Sequence, residues 1–266
     1  MKATVLFVLL FVVTASFSFA QFGGQRPPAD QPMERTDQNS KTAHQQLLEK
    51  AHNGRIDIYF EGDSITRRWG AVDYPDFLAN WKEKFFGWNA ADFGWGADSI
   101  QNILWRLSNG ELDGVNPKIV VFLAGTNNIG NRIVPGTEDS AVVDVSKGVE
   151  AALKLIRVKA PDATIILMGI FPRNDNMAAI PIIVKVNENI SKLADGKKTR
   201  YVSINDKLAD ADGTLFEGMT MDKLHPSLKG YQIWADALKP IFTEILGPPA
   251  KEDLAPPPTG DPSAKK

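Results

Sequence analysis

One serine stands at a position that suits nucleophilic chemistry. The sequence Gly-Asp-Ser-Ile at 62–65 places Ser64 shortly after the apolar run 56–60, which predicts a buried strand. In α/β proteins, ligands bind in the loops at the carboxyl ends of parallel strands. Three turn-forming residues by themselves indicate only a turn. A nucleophilic serine also needs a base and donors for a negatively charged oxygen, so its function depends on the rest of the chain.

The base would have to be one of the three histidines, His44, His52 and His225. His44 and His52 lie on or beside a predicted helix with no Asp or Ser arrangement near them, so we expect both at the surface. Asp222 lies three residues before His225, within reach of the imidazole from the same loop. A neighbouring carboxylate favours the charged imidazole, so we expect Asp222 to raise the pKa of His225. Together with Ser64, these two residues fit serine-dependent ester hydrolysis.

Ester hydrolysis also needs an oxyanion hole, a group of N–H donors that holds the negatively charged oxygen. The backbone amides of Ser64 and Ala97 and the side-chain amide of Asn127 are the candidate donors. Simpler roles exist, since Asn127 also fits an Asx turn and His225, followed by proline, also fits a surface turn. The joint occurrence of Asn127, His225 and the Gly-Asp-Ser sequence, in the order in which they stand, favours the catalytic interpretation.

Predicted strands alternate with helices along the chain, which is typical of a parallel sheet covered by helices on both faces. The helices have apolar residues at three- and four-residue spacing. The five predicted strands are 56–60, 88–93, 119–124, 164–168 and 201–204. Ser64, Ala97, Asn127 and His225 follow the first, second, third and fifth of these strands. A parallel sheet would therefore bring all four residues to one edge.

Composition limits the class of protein. The 266 residues, 43% of them apolar, suit one α/β domain, and a net charge of −2 gives no reason to expect a nucleic-acid partner. The chain has no cysteine, which excludes a thiol nucleophile, a thiolate zinc site and disulfides. The expected partner is a small-molecule or glycan ester substrate, and the oligomeric state stays open.

The two ends of the chain differ from its centre. Residues 1–20 have the layout of a secretory signal, with one positive charge, an apolar run and small residues before Ala20. The run is shorter than the roughly 20 apolar residues that span a bilayer. We expect cleavage after Ala20, a secreted or periplasmic protein and no stable membrane insertion, with a retained anchor as the alternative. We predict a disordered linker at 21–39, the folded domain at 40–246, and a disordered tail rich in Pro, Ala and Lys at 247–266.

The chain resembles the SGNH or GDSL hydrolases, and within them the platelet-activating-factor acetylhydrolase-like esterases. The resemblance covers about 56–246, and its blocks are 62–65, 93–98 with 104–107, 125–128 and 222–226. It implies Ser64 as nucleophile, Asn127 as oxyanion donor, and Asp222 and His225 as the remaining members of the triad. It also implies a flavodoxin-like three-layer α/β/α sandwich with a five-stranded parallel sheet, and neither a metal nor a cofactor.

One residue departs from the family pattern. Ala97 stands where the family has a glycine that donates its backbone N–H to the oxyanion. Alanine keeps this N–H. If the position needs a positive φ, however, the methyl group costs about 1 kcal/mol or more.

The function expected from these features is a secreted serine esterase that removes short acyl groups, such as acetyl, from carbohydrate. This substrate follows from the resemblance and from export. A lysophospholipase or other lipid-ester hydrolase is the alternative among enzymes. A catalytically silent carbohydrate-binding relative is the alternative from another class.

Overall fold

A central parallel β-sheet carries the candidate residues. The computed structural model describes residues 26–130 and 134–264. The strands are β1 Ile58–Gly62, β2 Ala90–Asp92, β3 Ile119–Leu123, β4 Thr164–Met168 and β5 Thr199–Val202. All neighbouring pairs are parallel, in the order β2-β1-β3-β4-β5. This confirms the predicted five-stranded parallel sheet, and the order is that of flavodoxin-like folds.

Helices cover both faces of the sheet. They are α1 Gln38–Ala51, α2 Ser64–Gly70, α3 Pro75–Phe85, α4 Ile100–Ser108, α5 Glu138–Lys159, α6 Ile180–Ser191, α7 Asn205–Leu208 and α8 Leu228–Leu246. One apolar core joins the sheet to α1, α4, α5 and α6, and the other joins it to α2, α3 and α8. Within the described ranges, no helix has the length and apolar character needed to cross a bilayer.

The strand order explains where the site forms. β1 lies between β2 and β3, so the chain leaves β1 toward one side of the sheet and leaves β3 toward the other. Ligands bind at such a switch point, outside the carboxyl ends of the strands. Ser64 follows β1 and Asn127 follows β3, so both lie at this point.

The segment before α1 is ordered where it is described, so the prediction of a disordered linker over 21–39 needs correction. Residues 26–37, called the N-terminal segment below, lie against α4. Met33 exchanges two bonds with it, donating from its backbone N to Gln101 O (3.0 Å) and accepting from Asn102 Nδ2 (2.8 Å). Composition predicts disorder here because it cannot reveal these distant partners. The predicted signal peptide, 1–20, lies outside the described residues.

The tail is also ordered in its described part, residues 247–264, contrary to the predicted disorder of 247–266. It runs back along the domain, where Leu254 accepts a bond from Arg55 N (2.9 Å) and donates to Asn89 Oδ1 (2.7 Å). Farther on, Val72 N donates to Thr259 O (3.1 Å). The prolines of this segment restrict the unfolded chain, which lowers the entropy lost when it docks.

Candidate active site

Ser64 and His225 meet at the carboxyl edge of the sheet. Ser64 is the first residue of α2, and Asp63 caps this helix by accepting a bond from Ile65 N (2.9 Å). The hydroxyl Oγ of Ser64 lies 2.9 Å from His225 Nε2. On the other side of the ring, His225 Nδ1 lies 2.7 Å from Asp222 Oδ2. The structure thus brings these three sequence-predicted residues into one hydrogen-bonded chain.

The loop before α8 holds Asp222 and His225 in a fixed relation. Asp222 Oδ1 accepts bonds from the backbone N–H groups of Leu224 (3.2 Å) and His225 (2.8 Å). Lys223 has a left-handed φ of 65°, and its carbonyl accepts a bond from Asn174 N (2.8 Å) in the loop after β4. The carboxylate is therefore oriented by backbone groups as well as by the imidazole.

The surroundings keep His225 neutral and Asp222 ionised near neutral pH. Burial lowers the pKa of His225 and the guanidinium of Arg68 lowers it further, against the opposite effect of Asp222. Burial alone would raise the pKa of Asp222, but hydrogen bonds from the backbone and ring of His225 outweigh it and lower this pKa to about 2. Asp222 does raise the pKa of His225, as expected, but burial and the arginine charge outweigh it, so the expected net upward shift is wrong. A neutral imidazole is the form that can accept a proton.

Two arginines that the sequence analysis did not single out contribute to this field. Arg68 Nη1 lies 3.2 Å from Asp222 Oδ2. The buried Arg173 donates from Nη1 to Thr126 O (3.0 Å) and from Nε to Asp175 Oδ1 (2.8 Å), and its charge also lowers the pKa of His225. Arg68 lies four positions after Ser64 in the chain, but only the fold connects either arginine to the histidine.

The three proposed oxyanion donors follow the ends of the neighbouring strands β1, β2 and β3. Ser64 N–H is in the first turn of α2, where backbone N–H groups have no intrahelical acceptor. Ala97 has a φ of 62°, the left-handed conformation for which the family glycine is suited. Asn127 Nδ2 donates one bond to Asp98 O (2.8 Å). Because a side-chain amide nitrogen has two N–H groups, the second remains for a ligand.

Hydrogen bonds and one close backbone approach hold these loops together. Trp95 N donates to Gly62 O (3.1 Å), which ties the loop after β2 to the end of β1. Ile100 N donates to Asn128 Oδ1 (3.0 Å), so Asn128 ties α4 to the loop after β3. At Gly94 an added Cβ would lie 2.5 Å from a backbone nitrogen of α2, a distance that only glycine permits. The close approach of the loops therefore depends on Gly94 and Asn128, which are not proposed donors themselves.

A buried ionic cluster lies beneath the same loops. Arg106 Nη2 lies 2.6 Å from Glu61 Oε1, its Nε lies 2.7 Å from Asp98 Oδ2, and its Nη1 pairs with Glu111. Burial raises the pKa of Asp98 to about 6, although Arg106 opposes this. His44 Nδ1 lies 2.6 Å from Glu111 Oε1 and is buried, so the predicted surface position of His44 is wrong. The available sequence signal for this cluster was a charged residue, Arg106, in α4 among the apolar residues Ile103, Leu104 and Leu107.

In the described part of the chain, no group of three or more His, Cys, Asp or Glu residues is placed to hold a metal ion. The absence of a cofactor stays a prediction of the sequence analysis.

Comparison with known proteins identifies the family. The model of the GDSL-like lipase/acylhydrolase family matches residues 60–233. Platelet-activating factor acetylhydrolase IB subunit alpha1 of Bos taurus is 30% identical over 207 residues, which cover 76% of this chain and 82% of that protein.

Solved structures share the fold. A Streptococcus pneumonia protein, described as a candidate platelet activating factor, has a TM-score of 0.62 and 23% identity, covering 77% of this chain and 92% of that one. A family two carbohydrate esterase from Clostridium thermocellum, in complex with cellohexaose, has a TM-score of 0.51 and 17% identity, covering 72% and 65%. The family match spans the elements that carry Ser64, Asn127 and His225. This chain belongs to the GDSL-like lipase/acylhydrolase family and is a hydrolase of the esterase class.

Proposed function

We propose that this protein is a secreted serine esterase that hydrolyses short acyl esters, above all acetyl esters. The observation that carries the proposal is the hydrogen-bonded chain from Asp222 Oδ2 through the imidazole of His225 to Ser64 Oγ, with distances of 2.7 and 2.9 Å. This is the arrangement in which a base can activate a serine hydroxyl while a carboxylate orients the base.

The reaction proceeds in two halves. Ser64 Oγ attacks the carbonyl carbon while His225 Nε2 takes the hydroxyl proton. The bond to the alcohol oxygen then breaks, and His225 gives its proton to the leaving alcohol. Water next attacks the acyl-enzyme and transfers a proton to His225, and the bond to Ser64 breaks as that proton returns to Oγ. Asp222 stays ionised and stabilises the imidazolium.

The negative charge on the carbonyl oxygen is held by N–H donors of Ser64, Ala97 and Asn127. These groups come from backbone or from a side chain already fixed by Asp98 O, so little reorganisation is needed during the reaction. Removal of one such donor typically lowers kcat by about 10²- to 10³-fold.

Different observations support the proposed acyl group and the proposed alcohol of the substrate ester. The bovine relative is an acetylhydrolase by name, which favours an acetyl group. The Clostridium thermocellum neighbour is a carbohydrate esterase by name, and the secretory layout of residues 1–20 would bring this enzyme to extracellular glycans. Together they favour an O-acetylated carbohydrate. The family description as lipases supports a lipid ester as the second candidate.

The test is a substrate panel with wild type and Ser64→Ala. It contains 4-nitrophenyl acetate, butyrate and octanoate, an acetylated oligosaccharide and a lysophospholipid. We expect wild type to prefer the acetate and to release acetate from the oligosaccharide, and Ser64→Ala to be inactive. Faster hydrolysis of the lysophospholipid would favour the lipid alternative. Binding of the oligosaccharide without hydrolysis of any ester would favour a catalytically silent relative.

A further inference from the structure

Arg35 of the N-terminal segment forms hydrogen bonds with the loop that carries the proposed donor Ala97. Its Nη1 donates to Gly96 O (3.1 Å) and to Asp98 Oδ1 (3.1 Å), while its Nε donates to Asp37 Oδ2 (3.0 Å). The Arg35 side chain is 29% exposed and the Asp98 side chain is fully buried. Arg35 therefore reaches from the edge of the domain onto the oxyanion loop.

The bond to Gly96 O acts on the donor directly. This carbonyl belongs to the same peptide unit as the N–H of Ala97. A trans peptide is planar, so its C=O and N–H point in opposite directions, and fixing the oxygen fixes the direction of the N–H. A hydrogen bond to the oxygen also polarises the unit and strengthens its N–H as a donor. The left-handed φ of 62° at Ala97 is unfavourable for alanine by about 1 kcal/mol. The hydrogen bond from Arg35 therefore helps to stabilise this backbone conformation.

A second arginine of the segment holds the neighbouring loop. Arg26 Nη1 donates to the backbone oxygen of Asn127 (3.1 Å). Asn127 in turn donates from Nδ2 to Asp98 O (2.8 Å), one residue beyond the peptide that Arg35 holds. Gln101 Nε2 donates to Pro27 O (2.8 Å), which anchors the segment on α4 between the two arginines.

We propose that the N-terminal segment is a clamp for the oxyanion hole, in which Arg35 and Arg26 are positioning residues for the N–H of Ala97 and the amide of Asn127. This deepens the proposed function and depends on it. Arg35 contacts no reacting atom and acts through the peptide between Gly96 and Ala97.

The experiment compares Arg35→Ala, Arg35→Lys and Arg26→Ala with wild type on 4-nitrophenyl acetate. Arg55→Ala is the matched control, because Arg55 is exposed and pairs with Asp57 before β1, at the opposite end of the strand from Ser64. Asp98 keeps its bond to Arg106 in Arg35→Ala, so this variant retains a partner for the buried carboxylate. Circular dichroism and the Tm monitor folding.

We expect Arg35→Ala to lower kcat about 10- to 100-fold with little change in KM, somewhat less than the loss of a whole oxyanion donor. Arg26→Ala should have a smaller effect of the same kind, and Arg35→Lys should recover part of kcat. The pH profile of kcat/KM should keep its shape, because proton transfer through His225 is untouched. In a double-mutant cycle, Arg35→Ala and Asn127→Ala should be less than multiplicative, since both weaken the same oxyanion hole.

Some outcomes separate the clamp from the proposed function. If Ser64→Ala is inactive but folded Arg35→Ala keeps wild-type kcat, the clamp is refuted and the esterase proposal stands. If Arg35→Ala changes only the Tm, or if its effect multiplies fully with that of Asn127→Ala, its role is structural and the clamp is again refuted. If Ser64→Ala remains active, the proposed function itself fails.

Discussion

His225 Nε2 lies 2.9 Å from Ser64 Oγ, although the two residues are 161 positions apart in the chain. A helix at each of the two residues contributes to this contact. Ser64 begins α2 and His225 leads into α8, and the hydroxyl of Tyr231 in α8 donates to Ile65 O in α2 (2.7 Å). The proposed nucleophile and its proposed base are thus placed by two helices that are hydrogen-bonded to each other beside the site.

Replacement of either residue should abolish turnover. We expect Ser64→Ala and His225→Ala each to lower kcat by about 10⁴-fold or more, and the double variant to be little worse, because nucleophile and base act as a unit. Steady-state kinetics on 4-nitrophenyl acetate measure this. Near-normal activity in His225→Ala would rule out the mechanism.

The acid limb of the pH profile should lie below about pH 6.5, the ordinary pKa of histidine. The proposed mechanism requires neutral His225, and burial together with Arg68 lowers its pKa, so more acid is needed to protonate it. Activity should therefore persist through pH 6.5 and fall only at lower pH. The measurement is kcat/KM from pH 4.5 to 8.5, and a limb centred above pH 6.5 would contradict the lowered pKa.

Removal of the positive charge at Arg68 should move that limb toward higher pH, because this charge disfavours the imidazolium. Arg68→Gln tests the shift in the same assay. Arg200→Gln is the control, since Arg200 pairs with Glu244 at the surface. An unchanged limb in Arg68→Gln would contradict the effect of Arg68 on the pKa of His225.

Asn127 and Ala97, the two proposed oxyanion donors other than Ser64, should respond differently to substitution. Asn127→Ala removes a side-chain donor and should lower kcat by about 10²- to 10³-fold. Ala97→Gly keeps the backbone N–H and relieves a φ of 62°, so activity should change little and stability should rise by up to about 1 kcal/mol. Kinetics and the Tm are recorded for both variants. Loss of activity in folded Ala97→Gly would mean that the methyl group shapes the pocket.

Arg106 should be essential for stability. Arg106→Met leaves Glu61, Asp98 and Glu111 buried without their shared cation, which should cost about 3 to 5 kcal/mol. Arg200→Met breaks only a surface pair and should cost less than about 1 kcal/mol. Urea unfolding gives both free energies. Equal losses in the two variants would contradict the importance of the buried cluster.

Export should leave Gln21 as the first residue of the mature protein, because small residues precede Ala20 in the predicted cleavage site. Intact-mass measurement on protein secreted by a bacterial host decides this. A mature chain that still contains Lys2 would support the retained anchor instead.

The strands and the final Asp-His pair could be predicted from the sequence because both are local patterns. Apolar runs between amphipathic helices predict a parallel sheet, and the three-residue spacing of Asp222 and His225 lets one loop carry both. The alternation of elements was also sufficient to predict that Ser64 and Asn127 share an edge of the sheet.

Tertiary structure decided what depends on distant partners. The direction of the pKa shift at His225 reflects burial and the charges of Arg68 and Arg173, which no spacing in the chain reveals. Residues 26–37 have the composition of a disordered linker, yet Arg35 finds acceptors 61 and 63 positions away. Composition describes how much a segment gains by burying its own side chains, whereas its order here comes from hydrogen bonds to groups that only the folded domain brings within reach.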